Sequence, residues 1–592
     1  MVWYSRMSTE VHPRPPEFSP DQTQGNPMQP LNQKKLDSVF VPASCPTFAD
    51  LLAWLAEDGD LSPTRRRDLS SGLRRVANAL SRSPEDVFCD ARWLQPRLSK
   101  VQPAALGLTT KSWQNAVSDG RAAMAHFGAI KLKTNRIEDL SATWKPLWSA
   151  VADTRDQSIL SALRRFVYFL DRLGVDPLGI TDEHALAYKH CVEEQEISRS
   201  PEVAYRAAVN GWNLARARVG VWPDIQLSLP DRRKVIQLPV GVLPEAFYED
   251  LETYLTKLTA ADPFDDDGPT RALRPATILQ YRRLLLRFAA RMVESGTDPH
   301  VIDGLMALME PDRVKKTLRF MLEYNEQKTS QTISVTAKLL TNVARSLNAP
   351  DAWQQQLQKI ARQVAIPHQV AMTPKNRARL RALQNEKNLV KLLTFPDALF
   401  ARKRGGNAPH HDAIAREDAV AIAILTYCPI RIKNLSQINL EQNLHRLGDG
   451  SAYLVFEDDE TKNRRPVEYE LPREVVALID EHLKTRVPHL CPAGTAWLFP
   501  KRKGHAAIGS SELGGRIFNR ILKETGLEVN AHLFRHLSVM IYLEAHPGAY
   551  EGAGRLIGHS NTSRTIRLYS GMETRSATQE YSNLVTSKKA RG

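Results

Sequence analysis

At 592 residues the chain exceeds what one hydrophobic core holds, so roughly two to four domains are expected. Its 42% hydrophobic and 25% charged residues are those of an ordinary globular protein, which excludes collagen-like and wholly disordered classes. The 80 Lys and Arg outnumber the 66 Asp and Glu for a net charge of +14, which points to a polyanionic partner, nucleic acid ahead of an anionic membrane surface.

The five cysteines (Cys45, Cys89, Cys191, Cys428, Cys491) are scattered without a CxxC pair. That is the pattern of reduced thiols in a reducing compartment. No apolar run approaches the ~18 residues of a membrane span. The N-terminus lacks the charged-then-apolar order of a signal peptide. A cytoplasmic protein with no membrane partner is therefore expected. Residues 1–45, rich in Pro, Gln, Ser and Asn, read as a disordered or loose arm.

From residue 46 to about 380 the pattern is helical throughout. Leu69, Leu73, Val76 and Leu80 form one helix face. Leu163, Phe166, Val167 and Leu170 form a second, and Leu285, Phe288 and Met292 a third. These helices resemble one another. With Thr64, Thr154 and Ala276 aligned, Arg75, Arg165 and Arg287 coincide, as do Val76, Phe166 and Phe288, and Asp86, Asp176 and Asp298. Gly174 matches Gly296, and an Asp-Pro pair follows each. A second helical run comes later in each copy, around 113–125, 203–215 and 333–347. Three copies of a small helical module are expected, with domain boundaries at 46–135, 140–260 and 262–380. An acidic stretch at 265–269 and a basic one at 367–379 (Lys375, Arg377, Arg379) read as linkers.

The pattern changes after residue 385. Residues 419–425 make an apolar helix ending near Tyr427-Cys428-Pro429. The β signal is confined to 440–470, with strands at 452–457 and 467–471 around a polar turn at 458–465. Helix resumes at 473–485, and Trp497-Leu498-Phe499-Pro500 reads as a short buried segment. The remainder is helical, with turns expected at Gly504, Gly526 and Gly552-Ala553-Gly554.

His532, Arg535, His559 and Tyr569 cluster near the C-terminal end. Arginine grips phosphate oxygens with a rigid, permanently charged fork. Histidine moves protons near neutral pH, and tyrosine can hold a covalent intermediate. Displacement at a phosphodiester also needs a second cation on the non-bridging oxygens and an acid for the leaving oxygen. Arg431, after the apolar helix, and Lys462, in the polar turn, are the candidates. Lys433 and Arg464 are alternative cations near Lys462, whose place just before the second strand favours it. His536, Lys433, Arg464, Arg465, His410 and His411 receive no role beyond solvation or backbone contact with DNA. Neither a Walker A motif nor a metal-ligand cluster stands in the sequence, so no cofactor and no metal are expected.

The order Arg431, Lys462, His532-x-x-Arg535, His559, Tyr569 resembles the catalytic domain of the tyrosine recombinases, the phage-integrase family. Local words agree: Ile430-Arg431-Ile432 before Asn434-Leu435, then Trp497-Leu498-Phe499-Pro500, Leu533-Phe534-Arg535-His536, Leu556-Ile557-Gly558-His559-Ser560, and Thr565 ahead of Tyr569. Two features depart from the family pattern. Asn434 stands where an acidic residue is frequent, and the stretch from His559 to Tyr569 is slightly longer than usual.

The resemblance implies a catalytic domain at 385–592 in a chain that is mainly α, with a small β-sheet in that domain. SAM-like, core-binding-type helical modules precede it. Tyr569 would attack the scissile phosphate, forming a 3′-phosphotyrosyl link without ATP or metal. Arg431 and Arg535 would clamp the non-bridging oxygens, and Lys462 would protonate the leaving oxygen. His532 would accept or donate a proton, and His559 would hydrogen-bond the phosphate. The implied partner is double-stranded DNA, held by a homo-oligomer that acts as a synaptic tetramer, with other recombinase or accessory proteins as further partners. The large N-terminal portion favours an integrase or transposase of a mobile element. The alternatives are a telomere resolvase, a type IB topoisomerase, and a DNA-binding accessory protein with a silent site.

Overall fold

The computed structural model describes residues 41–42, 44–130, 136–195, 200–230, 238–239, 241–260, 272–366, 372–402, 409–502, 504–559, 561–569 and 574–590. The expected arm at 1–45 and the acidic stretch at 265–269 lie outside these residues, apart from the last few of the arm. The chain divides into two units, Met1–Leu229 and Pro230–Gly592. Among the described residues no helix is long and apolar enough to cross a membrane.

The first unit holds two helical cores. One gathers Phe48, Leu51, Leu73, Trp93 and Met124. The other gathers Trp144, Trp148, Phe166, Tyr205 and Trp212. In the second unit a third helical core is built from Phe247, Leu251, Leu285, Phe288 and Leu340. Each core is crossed by a long helix: Pro63–Ala79, Gln157–Arg172 and Pro275–Glu294. Their starts are written in the sequence. Ser62 accepts the N–H of Arg65 ahead of Pro63, and Asp156 accepts that of Ser158.

The ends of these helices repeat in detail. The N–H groups of Arg82, Val175 and Thr297 reach back to the carbonyls of Ala77, Leu170 and Met292, at 3.1, 3.1 and 3.2 Å. Ser81, Gly174 and Gly296 make the left-handed turn, with φ of 55°, 69° and 89°. A 3₁₀ turn beginning at Pro84, Pro177 or Pro299 follows. Asp176 and Asp298 cap their turns by accepting from Leu178 and His300, whereas Ser83 makes no such bond. The register expected for the first copy is therefore corrected. Leu73, not Val76, is the counterpart of Phe166 and Phe288, and Ser83, not Asp86, that of Asp176 and Asp298. The cause is Ser81, a non-glycine residue at positive φ, which hides the turn from a glycine-based alignment.

Two expected boundaries also move. The helix Glu245–Lys257, expected in the second module, buries Phe247, Leu251 and Leu255 in the third core. Much of the basic stretch expected to be a linker is the helix Pro374–Leu383, whose Leu380 and Leu383 sit in the C-terminal core.

That C-terminal core surrounds the helix Pro409–Tyr427. Its segment from Ala419 to Leu425 is apolar on every side and no residue there exceeds 3% exposure, as a central helix requires. Beside it lies an antiparallel sheet ordered β1 (Leu444–Arg446), β2 (Ala452–Phe456), β3 (Val467–Leu471). Ala452 pairs with Leu471 and Phe456 with Val467. Ala452, Leu454 and Phe456 face the core, as alternation along β2 demands. Leu498 and Phe499 are fully buried in their short segment.

The expected turn at Gly552-Ala553-Gly554 is instead part of the helix Tyr550–Leu556. Its glycines serve close packing. A Cβ on Gly552 would stand 2.3 Å from the Tyr542 hydroxyl, and one on Gly554 3.1 Å from Oγ1 of Thr565.

Candidate active site

The helix Ala531–Ala545 is capped by Asn530, which accepts the N–H of Leu533. Leu533, Phe534, Leu537 and Met540 bury one side of it, each contributing about 1.5–3 kcal/mol of burial. This fixes the rotation of the helix. His532, Arg535 and His536 then share one face, as residues three and four apart must.

That face borders a pocket of about 280 Å³. Arg431, Lys462, His532, Arg535, His559 and Tyr569 all line it, so the structure gathers every site residue expected from the sequence. Asn463, His536 and Leu568 line it too, with Met372, Thr373 and Asn376 from the start of the helix Pro374–Leu383.

Arg535 is 5% exposed. Its two terminal nitrogens donate to the carbonyls of Pro429 and Ile557, which aims the guanidinium and leaves further N–H groups for a ligand. Burial, then the neighbouring Arg431 guanidinium, pushes Arg535 down to about 10, with Tyr469 and Tyr569 opposing. Arg431 caps the short helix Ile432–Ser436 in extended conformation. Two guanidiniums at one partly dry pocket form a site that an anion stabilises. Below them Tyr469 donates to the carbonyl of Leu556 at 2.8 Å. Its phenol is pushed up to about 12 by burial.

Lys462 is exposed at the turn between β2 and β3, and the turn is tied down on three sides. Thr461 Oγ1 donates to the carbonyl of Arg465 at 2.8 Å. Arg274, at the start of the helix Pro275–Glu294, donates to the Thr461 carbonyl at 2.8 Å. Asn463 Nδ2 donates to the Gly558 carbonyl at 2.7 Å. Asn434, in the position where an acidic residue is frequent, turns to the Glu460 carbonyl at 3.4 Å.

His559 follows Gly558, whose φ of 59° turns the chain, and its Nδ1 lies 2.9 Å from the buried Thr565 hydroxyl. His532 keeps an open surface toward the pocket, yet protein closes around the rest of its ring. Burial, then Arg535, Arg431 and Lys462, lowers its pKa, so it is neutral at physiological pH.

Tyr569 ends the helix Thr562–Tyr569 and is 1% exposed. Its hydroxyl lies 2.7 Å from Nδ1 of His536. Sequence reasoning left His536 without a role. Its position four residues after His532, on the same helix face, was the signal available. Asn463 likewise gains a role only in the fold, since its partner Gly558 lies 95 residues away, and Thr565, a matching word ahead of Tyr569, proves to be the partner of His559.

Residues 386–575 match the model of the phage integrase family, which marks that stretch as a domain of the tyrosine-recombinase type. No curated protein matches the chain. Among solved structures it is similar to the XerH site-specific recombinase bound to difH substrate in a pre-cleavage complex, at 13% identity and TM-score 0.27, covering 48% of this chain and 91% of that one. The Tn1549 transposon integrase in complex with transposon right end DNA matches at 19% identity and TM-score 0.31, covering 53% and 95%. A lambda integrase dimer bound to a COC′ core site matches at 12% identity and TM-score 0.32, covering 54% and 94%.

Proposed function

We propose that this protein cuts and rejoins double-stranded DNA for a mobile element, as an integrase or transposase. The observation that carries the reading is the shared pocket: two arginines, a lysine, three histidines and a tyrosine line one cavity. Tyr569 Oη attacks phosphorus, the bond from phosphorus to the 5′-oxygen breaks, and a 3′-phosphotyrosyl link forms. The phosphoester energy is kept in that link, so the step needs no ATP. Arg431 and Arg535 neutralise the charge that develops on the non-bridging oxygens. His532, held neutral by its surroundings, takes the phenolic proton, and Lys462 supplies one to the leaving oxygen. His559 donates to the phosphate from Nε2, its Nδ1 being occupied by Thr565.

The net charge of +14 supports a DNA partner held mainly through phosphate contacts. The domains follow: three helical modules, the third including the helix Glu245–Lys257, track the duplex, and the C-terminal domain, including the helix Pro374–Leu383, does the chemistry. The working assembly is a synaptic tetramer on DNA. A nicked suicide substrate, labelled at the 5′ end of the cleaved strand so that the label stays on the fragment joined to Tyr569, tests the reading. A covalent adduct that disappears in Tyr569→Phe is expected. Specific DNA binding with no adduct would replace it with an accessory protein carrying a silent site.

A further inference from the structure

His536 is 6% exposed and Tyr569 1%. They come from different helices, yet Nδ1 of His536 and the Tyr569 hydroxyl stand 2.7 Å apart. The ring of His536 is braced edge-on by His532, with centroids 4.9 Å apart at 82°. None of the roles above uses His536. A phenol reaches its partner through two rotatable bonds, so its oxygen wanders unless something holds it. Attack at phosphorus tolerates little wandering, since a misplacement near 1 Å can cost about 100-fold in rate.

We propose that His536 is the positioning residue of the nucleophile: its Nδ1 accepts the hydrogen bond of the Tyr569 hydroxyl and holds that oxygen at the pocket wall for the incoming phosphate. The inference rests on the reading of Tyr569 as nucleophile. The state of the ring fits placement rather than proton removal. Burial, then His532, Arg535 and His559, pushes His536 down to about 3. It is neutral at working pH and able to accept, but far too weak a base to strip a phenol. The proton leaves for His532 only when attack occurs.

Two amide substitutions separate placement from packing, because they restore different ring atoms. In His536→Asn the side-chain oxygen falls near the place of Nδ1, and in His536→Gln near that of Nε2. Single-turnover cleavage of the nicked substrate at saturating protein is compared with DNA affinity by titration. The expected result is that His536→Asn cleaves within about fivefold of the parent while His536→Gln falls about 10- to 100-fold, both binding DNA as the parent does. Equal cleavage by the two variants, or loss of cleavage only in step with loss of binding or of the thermal transition, overturns the proposal. Tyr569→Phe runs alongside. If it still forms adduct, the nucleophile reading has failed; if it is dead while His536→Gln is fully active, only the positioning role has failed.

Discussion

Asn463 Nδ2 donates to the carbonyl of Gly558 at 2.7 Å. The two residues belong to the hairpin turn and to the bend before His559. One bond therefore couples the placement of Lys462 to that of His559, both of which line the pocket. Turn lysines are ordinarily free to sweep through solvent, so this tether reduces the freedom Lys462 must lose in catalysis.

Asn463→Ala should slow cleavage by about tenfold with DNA affinity unchanged, because only placement of the acid is loosened. A substrate with sulfur in place of the leaving 5′-oxygen needs no proton at that atom. It should restore both Asn463→Ala and Lys462→Ala toward the parent rate. Failure of the sulfur substrate to restore Lys462→Ala would remove the acid role from that residue.

Arg535→Lys should be far from neutral. The carbonyls of Pro429 and Ile557 are spaced for a fork, and an ammonium cannot satisfy both while reaching a phosphate. Single-turnover cleavage should drop at least about 100-fold. Urea unfolding should show a loss of about 1–3 kcal/mol from the unmatched carbonyls. Near-parent cleavage by Arg535→Lys would show that the fork is dispensable.

Thr565→Val removes the hydroxyl beside Nδ1 of His559 while keeping side-chain volume. If that hydroxyl sets which ring nitrogen carries the proton, cleavage should fall about tenfold. The pH profile of cleavage is recorded alongside. An unchanged profile and rate would assign Thr565 to packing alone.

Stability should fall on acidification. Burial, with Arg486, Arg416 and Arg502 adding and Glu417 opposing, depresses His482 to about 4; His536 is depressed to about 3. Both sit below the unfolded value near 6.5. The unfolded chain then binds protons that the fold refuses, so stability present above that value is lost as pH falls below it. From pH 7.5 to 5.5 each group should cost about 1–2 kcal/mol. Neither ring nitrogen of His482 has a hydrogen-bond partner among the described residues. His482→Leu should therefore flatten the pH dependence of urea unfolding, and an unflattened profile would place the acid sensitivity elsewhere.

Arg516 bridges Glu417 and Asp418, which are 0% and 1% exposed on the central helix. Arg516→Met should leave buried negative charge facing Arg502 and Arg520 alone. A loss of about 3–5 kcal/mol in urea unfolding is expected, and a variant as stable as the parent would show that the two remaining arginines suffice.

The sequence by itself determined the order of the six pocket residues, the β2–β3 hairpin and the helix that carries His532 and Arg535. These are short-range properties. Alternation along a strand and three-to-four spacing on a helix depend on neighbours in the chain, so residue types alone reveal them. Only the tertiary structure decided what depends on distant contact. It moved the helix Glu245–Lys257 into the third core, shifted the first copy onto Ser81, and turned Gly552 and Gly554 from turn residues into packing sites. It also set His536 against Tyr569 and Asn463 against Gly558, residues far apart in the chain. Hydrogen bonds across such separations leave no periodic trace in composition, because the chain between the partners is free to vary while the folded core holds their distance.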